Sequence, residues 1–400
     1  MSPSLSESCH GAASPSLSEA CHGAASPSLS EACHLAASPS LSEVCHGAAS
    51  PSLSEACHGA ASPSVSEAAA DRSFKDWWVA CDNLRSCSAY GPEMAPADDH
   101  YGAWLRLGRE GAATAPLTAR IGMILVDQTV DGAATLKVGG DAGPAVATAP
   151  ARIEGGVVLA DLPAETLPAL LDQLRHADTL PVTLSGGAVA TPVKAGISLS
   201  GSAAAMLFLD DAQGRVGTVT AAWKPGPKPA EAVPPVPDLP VIRAAPASRK
   251  PVPAARPAIL SYESDDGACD SAAAEQFAPI IERLDDTHVL YGRACFSGAY
   301  NVAYDFFVAA DGAEPVPAVF DAPDGLMDAA ELINPGYDPA TRTLSTFAKG
   351  RGIGDCGVGA RWVWDGARFR LAGMEMMGIC QGIAWDDWPV VYRAKVEGVD

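Results

Sequence analysis

The sequence predicts an α+β protein that is mostly β: two β-rich domains with about one helix each, joined by a proline-rich linker and preceded by a disordered repeat tract. Three observations predict it. Short apolar runs of strand length recur between Gly and Asp-Gly turn signals. Residues 224–257 hold 11 prolines among Ala, Lys and Arg, a composition that favours an extended spacer. Residues 2–61 are five copies of a 12-residue unit, S-P-S-L-S-E-A-C-H-G-A-A, with small variations.

The repeat sets the first boundary, at 1–70. One Leu per unit cannot bury a continuous core against the entropy of ordering the backbone, so the copies are not expected to stack as a solenoid. Each copy places Cys beside His: Cys9, Cys21, Cys33, Cys45 and Cys57 precede His10, His22, His34, His46 and His58. Two copies supply the two thiolates and two imidazoles that suit zinc. Compact zinc sites space paired ligands two to four residues apart, however, and here they are adjacent, with a long spacer to the next pair. A metal-binding repeat is therefore an alternative, and no metal ligand or cofactor is assigned.

The first β-rich domain is expected over 73–223. Cys81 and Cys87 suit a disulfide-closed hairpin. Ala103–Leu107, Leu117–Val126, Ala134–Val138 and Val157–Leu159 read as strands, with a turn at Asp131-Gly132. Leu167, Leu170, Leu171 and Leu174 fall on one stripe of a helix over Thr166–His176, with Thr166 at its cap. Pro181–Leu184, Ala195–Leu199, Met206–Leu209 and Val216–Ala222 read as further strands.

The second domain is expected over 258–400. Asp270 or Ser271 caps a helix running to Leu284. Strands follow at His288–Phe296, Tyr300–Ala309, Val316–Phe320, Thr343–Phe347, Ala360–Trp364, Phe369–Met374 and Val390–Val396. The Asp365-Gly366 hairpin makes this half an antiparallel meander.

Charge and cysteines bound the function. The net charge is −21, and six glutamates in the first 70 residues leave −15 for the remainder. So acidic a body repels phosphate backbones and anionic lipid, which disfavours nucleic acid as a partner. The longest apolar run, Ala203–Leu209, is far short of a membrane span. Outside the repeat the cysteines are Cys81, Cys87, Cys269, Cys295, Cys356 and Cys380. Six cysteines allow 15 pairings; joining neighbours gives 81–87, 269–295 and 356–380. Such a framework persists in oxidising compartments, so a periplasmic or secreted location is expected. A basic and then apolar export signal is not visible in residues 1–70, where the repeat stands instead.

Candidate chemistry is sparse. His100, His176 and His288 accompany no nucleophile-elbow serine, and no phosphate-cradling loop occurs. In the run Lys349-Gly-Arg-Gly-Ile-Gly-Asp-Cys356-Gly, Arg351 and Asp355 either bind an anion or pair with each other. Trp385-Asp386-Asp387-Trp388 sets two carboxylates between aromatics, which suits a sugar or cation or, as an alternative, an envelope hydrolase; adjacent acids in a strand point apart, which weakens the hydrolase. Asp265-Asp266-Gly267 lacks calcium-loop spacing. No catalytic residue is assigned, and the expected role is a non-catalytic binding or structural module with an envelope ligand or protein partner.

Four stretches carry a family resemblance: Trp77-x-x-x-Cys81…Cys87, Gly352-Ile-Gly-Asp-Cys356-Gly, Trp362-Val-Trp-Asp-Gly366 and Asp387-Trp-Pro-Val. Over about 73–400 the chain resembles the bacterial family catalogued as domain of unknown function 1176. Its first half is similar, more weakly, to invasion-associated locus B proteins, which share the Trp…Cys…Cys opening. The resemblance implies an exported envelope protein and supplies no catalytic residues.

Overall fold

In the computed structural model, residues 70–399 are described, apart from 99, 127–129, 131–132, 141–144, 155, 188, 190, 255, 262–268 and 323–331. The repeat cysteines, the Asp131-Gly132 turn and the Asp265-Asp266-Gly267 stretch lie outside the described residues.

The protein is mostly β. Strands β1 (Ala70–Phe74), β2 (Trp77–Cys81), β3 (Cys87–Pro92), β4 (His100–Arg109) and β5 (Thr118–Leu125) follow one another antiparallel. Then β6 (Ala134–Gly139) and β7 (Ala145–Pro150) leave for a second sheet, and β8 (Arg152–Glu154) and β9 (Val157–Asp161) return to complete a seven-stranded sheet of order β1-β2-β3-β4-β5-β9-β8. Helix α1 (Leu167–His176) precedes β10 (Thr179–Gly186) and β11 (Val193–Ser198), which form the four-stranded sheet β11-β10-β6-β7.

Residues 202–212 correct one expectation. The run around Met206–Leu209 is not a strand but part of helix α2 (Ser202–Ala212). A short apolar run reads alike as a buried strand or a buried helix. Here the Ala-rich context favours the helix, and Ala205, Met206 and Leu209 bury one side of it. The following segment, 216–222, is turns rather than a strand. It wraps a buried polar cluster in which Asp210 accepts backbone N–H groups of Ala222 and Trp223 and pairs with Arg109.

The seven-stranded sheet is covered on both faces, so its central strands lack the polar alternation of a half-exposed strand. All five residues of β2 are buried. Trp77, Val79, Ala103, Leu105 and Leu107 join one core cluster, with α1, α2 and the four-stranded sheet. Trp78, Ala80, Tyr90 and Trp104 join another, whose remaining members come largely from residues 284–392.

The proline-rich stretch lies against this body. Its strand β12 (Val241–Arg243) pairs in parallel with a C-terminal strand, and Ala245 N–H donates to the Trp364 carbonyl. Helix α3 (Ser271–Gln276) is capped by Asp270 but ends well short of Leu284. Pro279 disfavours helical geometry in the residue before it, and Ile280–Arg283 instead forms β13.

β13, β14 (His288–Ser297), β15 (Val302–Ala310) and β16 (Val316–Pro317) make one antiparallel sheet. β17 (Phe320–Asp321) pairs in parallel with a later strand, and β18 (Leu332–Ile333) pairs with β15. The last sheet has the order β17-β22-β21-β20-β19, from β19 (Gly336–Asp338), β20 (Thr343–Lys349), β21 (Gly357–Trp364) and β22 (Phe369–Met377). β23 (Val390–Arg393) adds to β22, and β24 (Lys395–Glu397) is the partner of β12. Asp365 closes the β21–β22 turn by accepting the N–H groups of Ala367 and Arg368, with Gly366 at φ +101° where a side chain is disfavoured.

Candidate functional site

The β20–β21–β22 register builds a flat shelf on one face of the last sheet. Phe347, Gly359 and Glu375 lie opposite one another in one row; Ser345, Arg361 and Gly373 form the next, continued by Gly336 on β19 and Arg393 on β23. The glycines clear space. A Cβ on Gly359 would fall within the Trp385 ring, and one on Gly373 would collide with the Arg361 guanidinium. Trp385 enters from a 3₁₀ turn, Trp385–Asp387. Its ring packs edge-on against Phe347 at 5.1 Å and tilted against Trp388 at 4.8 Å, yet the residue stays 39% exposed. Beside it, Nη1 of Arg361 donates to both Glu375 carboxylate oxygens, at 2.8 and 3.0 Å, with the Arg361 side chain 45% exposed.

The two stretches singled out in the sequence meet at this shelf. The Cys356–Cys380 disulfide ties the glycine-rich loop before β21 to the segment after β22. Arg351 and Asp355 pair with each other, Nε to Oδ1 at 2.6 Å, and Asp355 Oδ2 also accepts the Gly382 N–H at 2.6 Å. Burial opposes ionisation of Asp355, but these two partners outweigh it and hold the carboxyl below its usual range.

The acids of 385–388 part company. The segment is a 3₁₀ turn, not a strand entry, and Asp386 is exposed while Asp387 is buried. Asp387 Oδ1 sits 2.6 Å from Arg120 Nη1 and 3.6 Å from Arg106 Nη1, and its carbonyl accepts the Tyr90 hydroxyl at 2.5 Å. Arg120 also grips Asp161, so this junction is an ionic chain across β4, β5 and β9.

The other two disulfides are Cys81–Cys87, which closes the β2–β3 hairpin, and Cys269–Cys295, which ties the start of α3 to β14. Among the described residues Cys269, Cys295 and Asp305 are near enough to share an ion. Both sulfurs are spent in the disulfide, so neither can serve as a thiolate ligand.

Of the histidines, His176 ends α1 beside Asp172 in solvent, and His100 is buried against Glu93 at 2.6 Å. His288 belongs to a constellation that the sequence did not flag. Asp285 accepts from Trp364 Nε1 at 2.7 Å, from the Thr287 N–H and hydroxyl, and from His288 Nδ1. Burial would raise the Asp285 carboxyl, but these donors prevail and hold it at about 2. His288 and Trp364 line a shallow cleft of about 320 Å³ with Val308, Glu314 and Pro317. The one local signal was the Asp-Asp-Thr-His turn composition; the Trp364 partner lies 79 positions away.

Fold and site together define a disulfide-stapled, mostly β protein bearing an exposed indole–guanidinium shelf. The chain belongs to the family described as Protein of unknown function (DUF1176), whose model matches residues 71–395. It is 31% identical over 342 residues to the uncharacterized protein YpfG of Escherichia coli strain K12, covering 82% of this chain and 93% of that protein. A crystal structure of invasion associated protein B from Bartonella henselae matches 36% of this chain and 98% of that one at 14% identity, with a TM-score of 0.27.

Proposed function

We propose that the protein is an exported cell-envelope protein, periplasmic or secreted, that acts as a non-catalytic binding module. The observation that carries the location is the set of three disulfides, each closing a loop within its own half of the chain. Local disulfides of this kind survive where the surroundings are oxidising.

The non-catalytic part of the reading rests on Asp387. General acid–base hydrolysis needs two carboxylates facing one bond. Asp387 instead faces Arg120 and Arg106 in a buried junction, away from exposed Asp386. What the segment offers to solvent is the Trp385 ring and its neighbours, which suits holding a ligand better than cleaving one.

The test is thiol trapping on fractionated bacteria, followed by intact mass. The protein is expected in the envelope or medium, with Cys81, Cys87, Cys269, Cys295, Cys356 and Cys380 alkylated only after reduction. Cytoplasmic protein with those six thiols free would remove the proposal.

A further inference from the structure

We propose that the shelf around Trp385 and Arg361 is a subsite for a neutral glycan containing N-acetylhexosamine, an inference that rests on the binding-module reading above. The pyranose ring lies on the Trp385 indole, and the acetamido carbonyl accepts from the Arg361 guanidinium.

The indole supplies the first half of this match. It is braced by Phe347 and Trp388 and seated over Gly359, so little side-chain freedom remains to be lost on binding. Its exposed part offers a flat aromatic surface to the C–H face of a sugar ring, while ring hydroxyls stay in water. Gly359 and Gly373 make room for the Trp385 ring and the Arg361 guanidinium themselves.

The ion pair supplies the second half. Arg361 uses Nη1 on Glu375; among the described residues its Nε and Nη2 have no hydrogen-bond partner. Glu375 is buried, its side chain 11% exposed, and holds the guanidinium in place. The free guanidinium N–H groups are charged donors that complement the C=O of an acetamido group. Gly359 and Arg361 point to the same face two residues apart, about 7 Å along the strand, a span that one sugar unit and its acetamido arm cover. The −15 left to the chain beyond the repeat (−21 + 6) disfavours anionic polymers, which favours an uncharged glycan as the occupant.

The experiment is calorimetric titration of the full chain with chitotetraose, with cellotetraose and hyaluronate as comparators. Chitotetraose is expected to bind, cellotetraose more weakly for want of the amide, and hyaluronate least for its charge. Trp385→Ala and Arg361→Gln should each weaken chitotetraose binding about tenfold or more, titrated well below the melting temperature of each variant. Arg361→Gln leaves the buried Glu375 carboxylate without its partner, so Arg361→Lys, which keeps a cation there but loses the guanidinium fork, is the variant that separates binding from folding. Absence of binding, equal binding of cellotetraose, or full affinity in both variants overturns the proposal. The envelope reading fails separately, by thiol trapping, so a glycan that does not bind to an oxidised, envelope-located protein condemns the ligand class alone.

Discussion

Oδ1 of Asp387 lies 2.6 Å from Nη1 of Arg120 across 267 positions of sequence. The carboxylate is almost fully buried, whereas Arg120 is reached by water along one side. Breaking the pair from the arginine side therefore strands a buried charge, with Arg106 at 3.6 Å as its remaining support. Arg120→Gln is expected to destabilise by about 2–3 kcal/mol, somewhat under the usual loss for a fully buried pair because water can enter. The double variant with Asp387→Asn should cost less than the two single losses added, since the stranded charge is gone. Urea midpoints of the four proteins check this; strict additivity would show that the pair does not couple the two halves.

Gly359 is the position where a single methyl group tests the shelf. A Cβ there occupies space held by the Trp385 ring, so the indole must leave its seat or the strand must shift. Gly359→Ala is expected to destabilise by about 1–3 kcal/mol, as overpacking does, and to red-shift the Trp385 contribution to fluorescence. The comparison is with Gly359→Ala in a Trp385→Phe background. An unshifted difference spectrum would mean that the ring does not rest on this strand.

Acid stability should carry the mark of Asp285. Its carboxyl is held at about 2 in the folded protein, well below the ordinary range of an aspartate. A carboxyl depressed on folding stabilises above its unfolded pKa, and that contribution is lost as the pH falls through the folded value. The loss therefore falls between about pH 4 and pH 2 and is on the order of 2 kcal/mol at most. Asp285→Asn should lower the denaturation midpoint at pH 6 and converge toward the parent near pH 2. Parallel curves for the two proteins across that range would rule out this origin.

Most strands were legible because a β-rich meander writes itself locally: Val157–Leu159, Pro181–Leu184 and the Trp364–Phe369 hairpin are set by alternation and turn residues within a few positions. The failures share a cause. Met206–Leu209 is apolar on too many sides for a period to discriminate helix from strand, and only the packing of α2 against the first sheet decides it. The stretch from Ser271 to Leu284 sets Phe277, Ile280, Ile281 and Leu284 at helical spacing, although Pro279 stands within it. At the shelf, Trp385 was visible as an aromatic beside acids. Arg361 and Glu375 were not, because their meeting depends on the β21–β22 register, and Arg120 meets Asp387 only through the packing of distant strands.

That packing leads to a last expectation, about cooperativity. Two domains over 73–223 and 258–400, joined by a proline-rich spacer, should melt in two steps. The described residues form one compact unit, however, and Trp78, Tyr90 and Trp104 of the first half are buried in the same cluster as Trp362, Leu371 and Met374 of the second. Gly378 lies so close to the Trp78 indole that a Cβ would strike it. These three aromatics alone hide apolar area worth on the order of 10 kcal/mol before entropy is counted, comparable with the whole net stability of a typical domain. A fragment over 73–223 should therefore expose that face, bind a hydrophobic dye and aggregate. The intact chain should show one calorimetric transition whose van't Hoff enthalpy matches the measured enthalpy. Two resolved transitions, each matching one half made alone, would return the halves to independent domains and reduce the Arg120–Asp387 junction to a surface contact.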